Sequence, residues 1–216
     1  MTDIVKSAAF AVKKTLASKG IQIRHGIALE VIAALLGYRT YAALVTEESD
    51  ESLQFHLGDA ELIVLDQHGA GARLQELGLS EFFVLDDFIQ SLVDCRGAVF
   101  QSLHEFYDDY AHEAIREVIL SSESVIAVME NTTANSPYWV ELDDRWRVSG
   151  EVWSSIDSWR FEAFGIMDGE HLGTFPDPED AQQFEDTGEI HCDGWLEFVK
   201  AGRSGLKLSG SGGKAD

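Results

Sequence analysis

The densest group of metal-ligating side chains is "HEFYDDYAHE", residues 104–113. His104, Asp108 and His112 fall at i, i+4 and i+8, which is one face of an α-helix, with Glu105 and Asp109 beside them. Imidazole and carboxylate groups one turn apart can share a divalent cation, so these three are the candidate metal ligands. The spacing is not that of HExxH, and a row along one helix needs a second element to complete a site. The alternative is a solvated acidic face opposite a stripe of Leu103, Phe106 and Tyr110.

Other constellations carry weaker chemistry. "HCD" at 191–193 joins imidazole, thiol and carboxylate, but alternation along a strand puts His191 and Asp193 on one face and Cys192 on the other. A Cys–His nucleophile pair would therefore need a histidine from elsewhere. "HGAGAR" (68–73) is a Gly-rich turn between a predicted strand and a predicted helix, where backbone amides can meet an anion. It lacks the GxGxxG spacing and the P-loop lysine, so a plain β-to-α turn is the competing reading. His25 precedes an apolar helix and reads as a capping or packing residue, with no nucleophile in sight. Carboxylate pairs such as Asp86-Asp87 and Asp143-Asp144 are too numerous to single out a general acid. No cofactor motif is present.

The elements that must carry these residues follow from periodicity. Ile4, Ala8, Phe10 or Ala11, Val12 and Leu16 have helical spacing and end at Gly20. Residues 26–36 form a second helix closed by Gly37, and 39–47 a third. "TEESDES" (46–52) reads as a linker, and "AELIVLD" (60–66) as a buried strand. "AGARLQELGL" is a helix ending at Gly78 in an echo of "ALLGY", which shared capping chemistry explains without a repeat. From Ser80 to Leu120 the spacing predicts helices, with Val99, Leu103, Phe106, Tyr110, Ala114 and Val118 inward along the second. After Pro137 aromatic and β-branched residues dominate, all five Trp lie between 139 and 195, and Asp168-Gly169 in "MDGE" signals a hairpin turn. "PDPEDAQQFED" (176–186) is expected as a loop or short helix, and "LSGSGGKAD" as a flexible tail. The fold class expected is α+β: a helical N-terminal module (1–45), an acidic, mostly helical middle with one strand (53–136), an antiparallel Trp-rich sheet (138–200) and a flexible tail (201–216).

The stretch "HGIALEVIAALLGYRTYAAL" (25–44) admits two further readings. Leu16, Gly20, Ile23, His25, Ala28-Leu29-Glu30, Ala33, Leu36-Gly37-Tyr38, Tyr41 and Leu44 form a pattern over about residues 10–45. It resembles a short helical module that begins many uncharacterised bacterial proteins, some glyoxalase-related and many borne on mobile elements. The glyoxalase name implies a metal-dependent fold of paired β-α-β-β-β units. Neither those units nor their ligands map onto this chain, so the activity is not carried over. The same stretch fits much of a helix-turn-helix, with Arg24, Arg39 and Thr40 as candidate nucleic-acid contacts. Against it, the presumed reading helix offers only Arg39, Thr40 and Thr46 before it turns acidic, whereas DNA binding needs several cations.

Charge is segregated. The net −22 divides into +4 over residues 1–45, −29 over the middle and +3 from Lys200 onward, and the middle contains no lysine. Such a surface repels nucleic acid outside residues 24–45 and attracts basic proteins. Two cysteines, neither in CxxC, suit a reducing cytosol. The lysine-flanked N-terminus reads as an amphipathic helix rather than a signal peptide, and no window is apolar enough for a membrane span. The expectation is a cytoplasmic, non-enzymatic protein-binding or regulatory protein with a basic protein partner. Its alternatives are a helix-turn-helix-like DNA regulator and an acidic nucleic-acid mimic that inhibits a DNA-binding host-defence enzyme.

Overall fold

The computed structural model describes residues 2–79, 84–171 and 188–215. In chain order the elements are α1 (Thr2–Ser18), α2 (His25–Leu35), α3 (Tyr41–Glu48), a 3-10 turn at Leu57–Asp59, β1 (Leu62–Val64), α4 (Gln67–Glu76), α5 (Leu85–Cys95) and β2 (Val99–Phe100). They continue with α6 (Leu103–Phe106), a π-helical turn at Tyr107–Ala111, α7 (His112–Ser121), α8 (Glu123–Met129), β3 (Ala134–Val148), β4 (Ser158–His171), β5 (Ile190–Lys200) and β6 (Gly205–Ala215). The strands hydrogen-bond in the order β2-β1-β6-β5-β4-β3, a six-stranded mixed sheet, and the fold is α+β. The expected 176–186 segment lies outside the described residues.

The chain forms two compact units: Met1–Phe106 with Gly150–Trp159 and Phe198–Leu208, and Tyr107–Ser149 with Arg160–Glu197 and Ser209–Asp216. Boundaries read along the sequence at 45, 136 and 200 do not coincide with these. Late strands return to early ones, as when Leu206 of β6 pairs with Leu62 of β1.

In the first unit α1 packs on α2 and α5, and α2 on α4. Val5, Ala8, Ala9, Val12 and Leu16 line the buried side of α1, while Phe10 is 69% exposed, so the apolar stripe passes beside it. α2 buries Val31 to Leu35 without a break, as a central helix must. α1, α2 and α4 stop in the same way. Tyr38 N–H donates to Ala33 O across Gly37, Ile21 N–H to Leu16 O across Gly20, and Leu79 N–H to Leu74 O across Gly78. This closure needs a left-handed residue, and Gly37 has φ +79°. The echoed Leu-Gly motifs are thus shared capping chemistry.

In the second unit β3 and β4 pair antiparallel. Phe161, Ala163 and Met167 of β4 and Cys192 and Leu196 of β5 form the buried face of their strands. α7 covers β5 closely: a Cβ on Gly194 would stand 2.4 Å from Ile115 Cγ2. Tyr107 stacks on Phe161 at 5.8 Å, and Trp146 meets the same ring at 5.2 Å.

Three sequence expectations are corrected. The long helical stripe begins wrongly, because Val99–Phe100 is a strand parallel to β1. The stripe then breaks at the π turn, which inserts one residue. The buried positions run Phe106, Ala111, Ile115, Ile119, one step past Tyr110, Ala114 and Val118. Asp168-Gly169 is no hairpin turn but lies within β4, opposite Trp139 and Tyr138. The glycine-rich end is not a flexible tail but strand β6. A Cβ on Gly212 would sit 2.6 Å from the Trp195 ring, so the glycines admit an indole laid across the strand.

Gly37→Ala combines a left-handed backbone with a Cβ placed 3.0 Å from Trp153 Cδ1. It should cost about 1–3 kcal/mol. Gly71→Ala, in open space inside α4, should instead stabilise by about 0.5–1 kcal/mol. Urea unfolding of the two variants checks the opposite signs.

Candidate functional site

The three candidate metal ligands lie on α6 (His104), the π turn (Asp108) and the start of α7 (His112). Their one-face alignment assumed unbroken α-helix, and the inserted residue removes it. His112 sets its ring edge-to-face against Tyr107 at 5.5 Å. Among the described residues no group of three His, Cys, Asp or Glu side chains could hold a metal ion.

The candidate nucleic-acid contacts lie at the starts of α2 and α3. Arg24 is the exposed N-cap residue of α2, and His25, exposed, is its first helical residue. Thr40 is the N-cap of α3: its Oγ1 accepts from Ala43 N–H at 3.1 Å, which satisfies one of the helix's free amides. Arg39 is exposed on the turn. The outward residues of α3 are Ala42, Ala43 and Thr46. In "HCD", Cys192 is buried and His191 exposed, as alternation required, and Asp193 pairs with Lys214 at 2.9 Å. In "HGAGAR" the helix begins at Gln67, and Asp66 Oδ1 accepts from Gly69 N–H at 2.7 Å.

Two arrangements emerge that the sequence did not mark. The first, in the first unit, centres on buried Tyr38. Its hydroxyl donates to Glu47 Oε1 at 2.7 Å and accepts from Arg203 N–H at 3.3 Å. Burial, then the hydrogen bond to Glu47, pushes the phenol pKa far above its usual value. The Arg203 guanidinium lies 5.6 Å from the Tyr38 ring centroid, with Nε 3.7 Å from Glu47 Oε2. Behind it Lys200, 7% exposed, donates from Nζ to Val152 O at 2.9 Å and Arg203 O at 2.6 Å. Burial brings the Lys200 pKa down to about 7, the Glu47 charge opposing the shift. Lys200 holds the turn that presents Arg203. The tyrosine was legible as core, but residues 165 positions apart have no local signal that joins them.

The second is the outward face of the sheet in the second unit. Arg160 lies 4.3 Å from the Trp195 ring centroid and Arg147 5.1 Å from that of Phe164. Glu141 stands opposite Ile166 and Trp139 opposite Asp168, which places all four on this face. Trp139 is 44% exposed. Glu162, Asp193 and Glu197 add carboxylates by alternation along β4 and β5. Among the described residues, α7 lies on the opposite face.

The folded Lys200 pKa lies below the unfolded value of 10.5. The unfolded chain therefore binds the extra proton between about pH 7 and 10.5, and stability rises with pH across that window. Lys200→Met should abolish this rise, roughly 3 kcal/mol between pH 7 and 9.5. Urea unfolding of both proteins at the two pH values checks it, and equal slopes would remove the buried amine as the cause.

No helix among the described residues is long and apolar enough to cross a membrane. No family model, curated protein or solved structure matches the chain, so the chemistry of these two arrangements carries the functional reading.

Proposed function

We propose that the protein is a non-enzymatic intracellular binding or regulatory protein that docks a basic protein partner on the acidic sheet face of its second unit. One observation carries the reading: that unit holds 21 Asp and Glu against five Lys and Arg. Its sheet turns Glu141, Glu162, Asp168, Asp193 and Glu197 outward beside Trp139, Phe164, Ile166 and Trp195. Aromatic side chains supply contact area at low entropic cost, and the carboxylates select a lysine- or arginine-rich surface and speed encounter. Arg160 lies over Trp195 and pairs with Glu162, and Arg147 lies over Phe164, so both order the aromatics, and the carboxylates of the face outnumber them.

The edge of the sheet is a poorer docking element. β3 carries Pro137, exposed charges and register shifts at Asn135/Tyr138 and Leu142/Trp146, features that discourage strand addition. The helix-turn-helix reading draws less support, since Thr40 is spent on capping and Glu47 and Glu48 follow on the same short helix. The resemblance to mobile-element proteins suits a partner that itself binds nucleic acid, the carboxylates then standing where phosphates would. Duplex DNA would compete with this protein for such a partner.

Fluorescence anisotropy with a labelled oligo-arginine peptide tests the face. Glu141→Gln, Glu162→Gln and Asp168→Asn together should weaken binding roughly ten-fold at low salt, and 0.5 M salt should abolish it. Unchanged binding by the folded triple variant would place the docking surface elsewhere.

A further inference from the structure

A cleft of about 270 Å3 opens in the first unit where the turn after α2, the start of α4 and the segment before β6 meet. Its lining includes three of the chain's nine arginines, Arg39, Arg73 and Arg203, in a protein whose net charge is −22. They lie far apart in sequence, so only the fold assembles them. Gly37 and Gly69 lie on its wall. The cleft also adjoins the carboxyl end of β1, where Asp66 opens the turn into α4.

The donor inventory decides what the cleft can take. Its two acids are already engaged. Asp66 caps α4 through Gly69 N–H, and Glu76 Oε2 lies 2.6 Å from Arg73 Nη1. Arg73 is held on its other side by Glu30 at 2.7 Å. Arg39 makes no ion pair among the described residues, and Arg203 has a single long one through Nε, which leaves its two Nη groups. Two guanidinium forks with spare donors therefore stand beside two carboxylates, one paired with Arg73 and the other holding the cap of α4. A guanidinium fork matches the paired oxygens of a carboxylate or phosphate.

We propose that this cleft binds a small organic anion through a carboxylate or phosphate group held by Arg39 and Arg203. Arg73, fixed by its two glutamates, forms the rigid wall. Tyr38 positions Arg203, because its hydroxyl accepts the Arg203 N–H and its ring lies beneath the guanidinium. The site is independent of the sheet face in the second unit, so either proposal stands without the other.

The test is thermal unfolding and calorimetric titration of the full chain with succinate and, separately, inorganic phosphate, each against sodium chloride at equal ionic strength. One or both anions should raise the midpoint by about 3 °C at 20 mM. A response to succinate alone identifies a carboxylate site and one to phosphate alone a phosphate site. Arg39→Gln should weaken the responding anion at least five-fold. Arg203→Gln should do the same, and Arg145→Gln, 88% exposed in the second unit, should not. If Arg203→Gln does not fold, Arg39→Gln, on an exposed turn, decides alone. No shift above the chloride control with either anion overturns the proposal, and so does a shift that survives Arg39→Gln.

Discussion

The hydroxyl of Tyr38 is the point on which the first unit turns. It is buried at the end of α2, gives its proton to Glu47 of α3 and receives the backbone N–H of Arg203. One oxygen thus joins the N-terminal helices to a segment 165 residues later. An unsatisfied buried hydroxyl would cost on the order of 1–3 kcal/mol, so both partners are obligatory. Lys200 buries its amine beside them, and two carbonyls satisfy it. The outcome is a turn at residues 201–204 held rigidly enough to present one guanidinium to a cleft.

The second unit depends on a different constraint, close approach. Gly194 lets α7 settle on β5, and Gly210 and Gly212 let the Trp195 indole lie flat across β6. Each glycine gives up side-chain contacts and some strand propensity, and a large apolar group fills the space. With one sheet face closed this tightly, the acids of β4 and β5 are confined to the other by strand alternation. That confinement, rather than the number of acids alone, gives the proposed docking face its field.

How far the fold was legible varies from element to element. α1 and α2 were plain because their apolar spacing is that of one α-helix and glycine marks each stop. β1 was plain as a short apolar run. The stripe from Leu103 onward was misread by one residue, since a π turn leaves no compositional trace and periodicity assumes 3.6 residues throughout. The glycine-rich end was misread as a tail because its stabilising partner, Trp195, is a different strand. Of the candidate site residues, Arg39 alone reappears in a proposed site, and there with a small anion rather than DNA. The metal trio lost the unbroken helix register that had aligned it.

Residue types and local spacing alone determined the α+β class, the helix stops at Gly20, Gly37 and Gly78, and the segregation of charge along the chain. These depend on backbone sterics, capping and composition, which act within a few residues. The tertiary structure alone decided the return of β6 to β1, the joining of Tyr38, Glu47, Lys200 and Arg203, and the gathering of Arg39, Arg73 and Arg203 around one cleft. Those pairings depend on burial and hydrogen bonding between residues up to 165 positions apart. At such separations a sequence carries no period or motif to announce them, and only the packed chain brings the groups within reach.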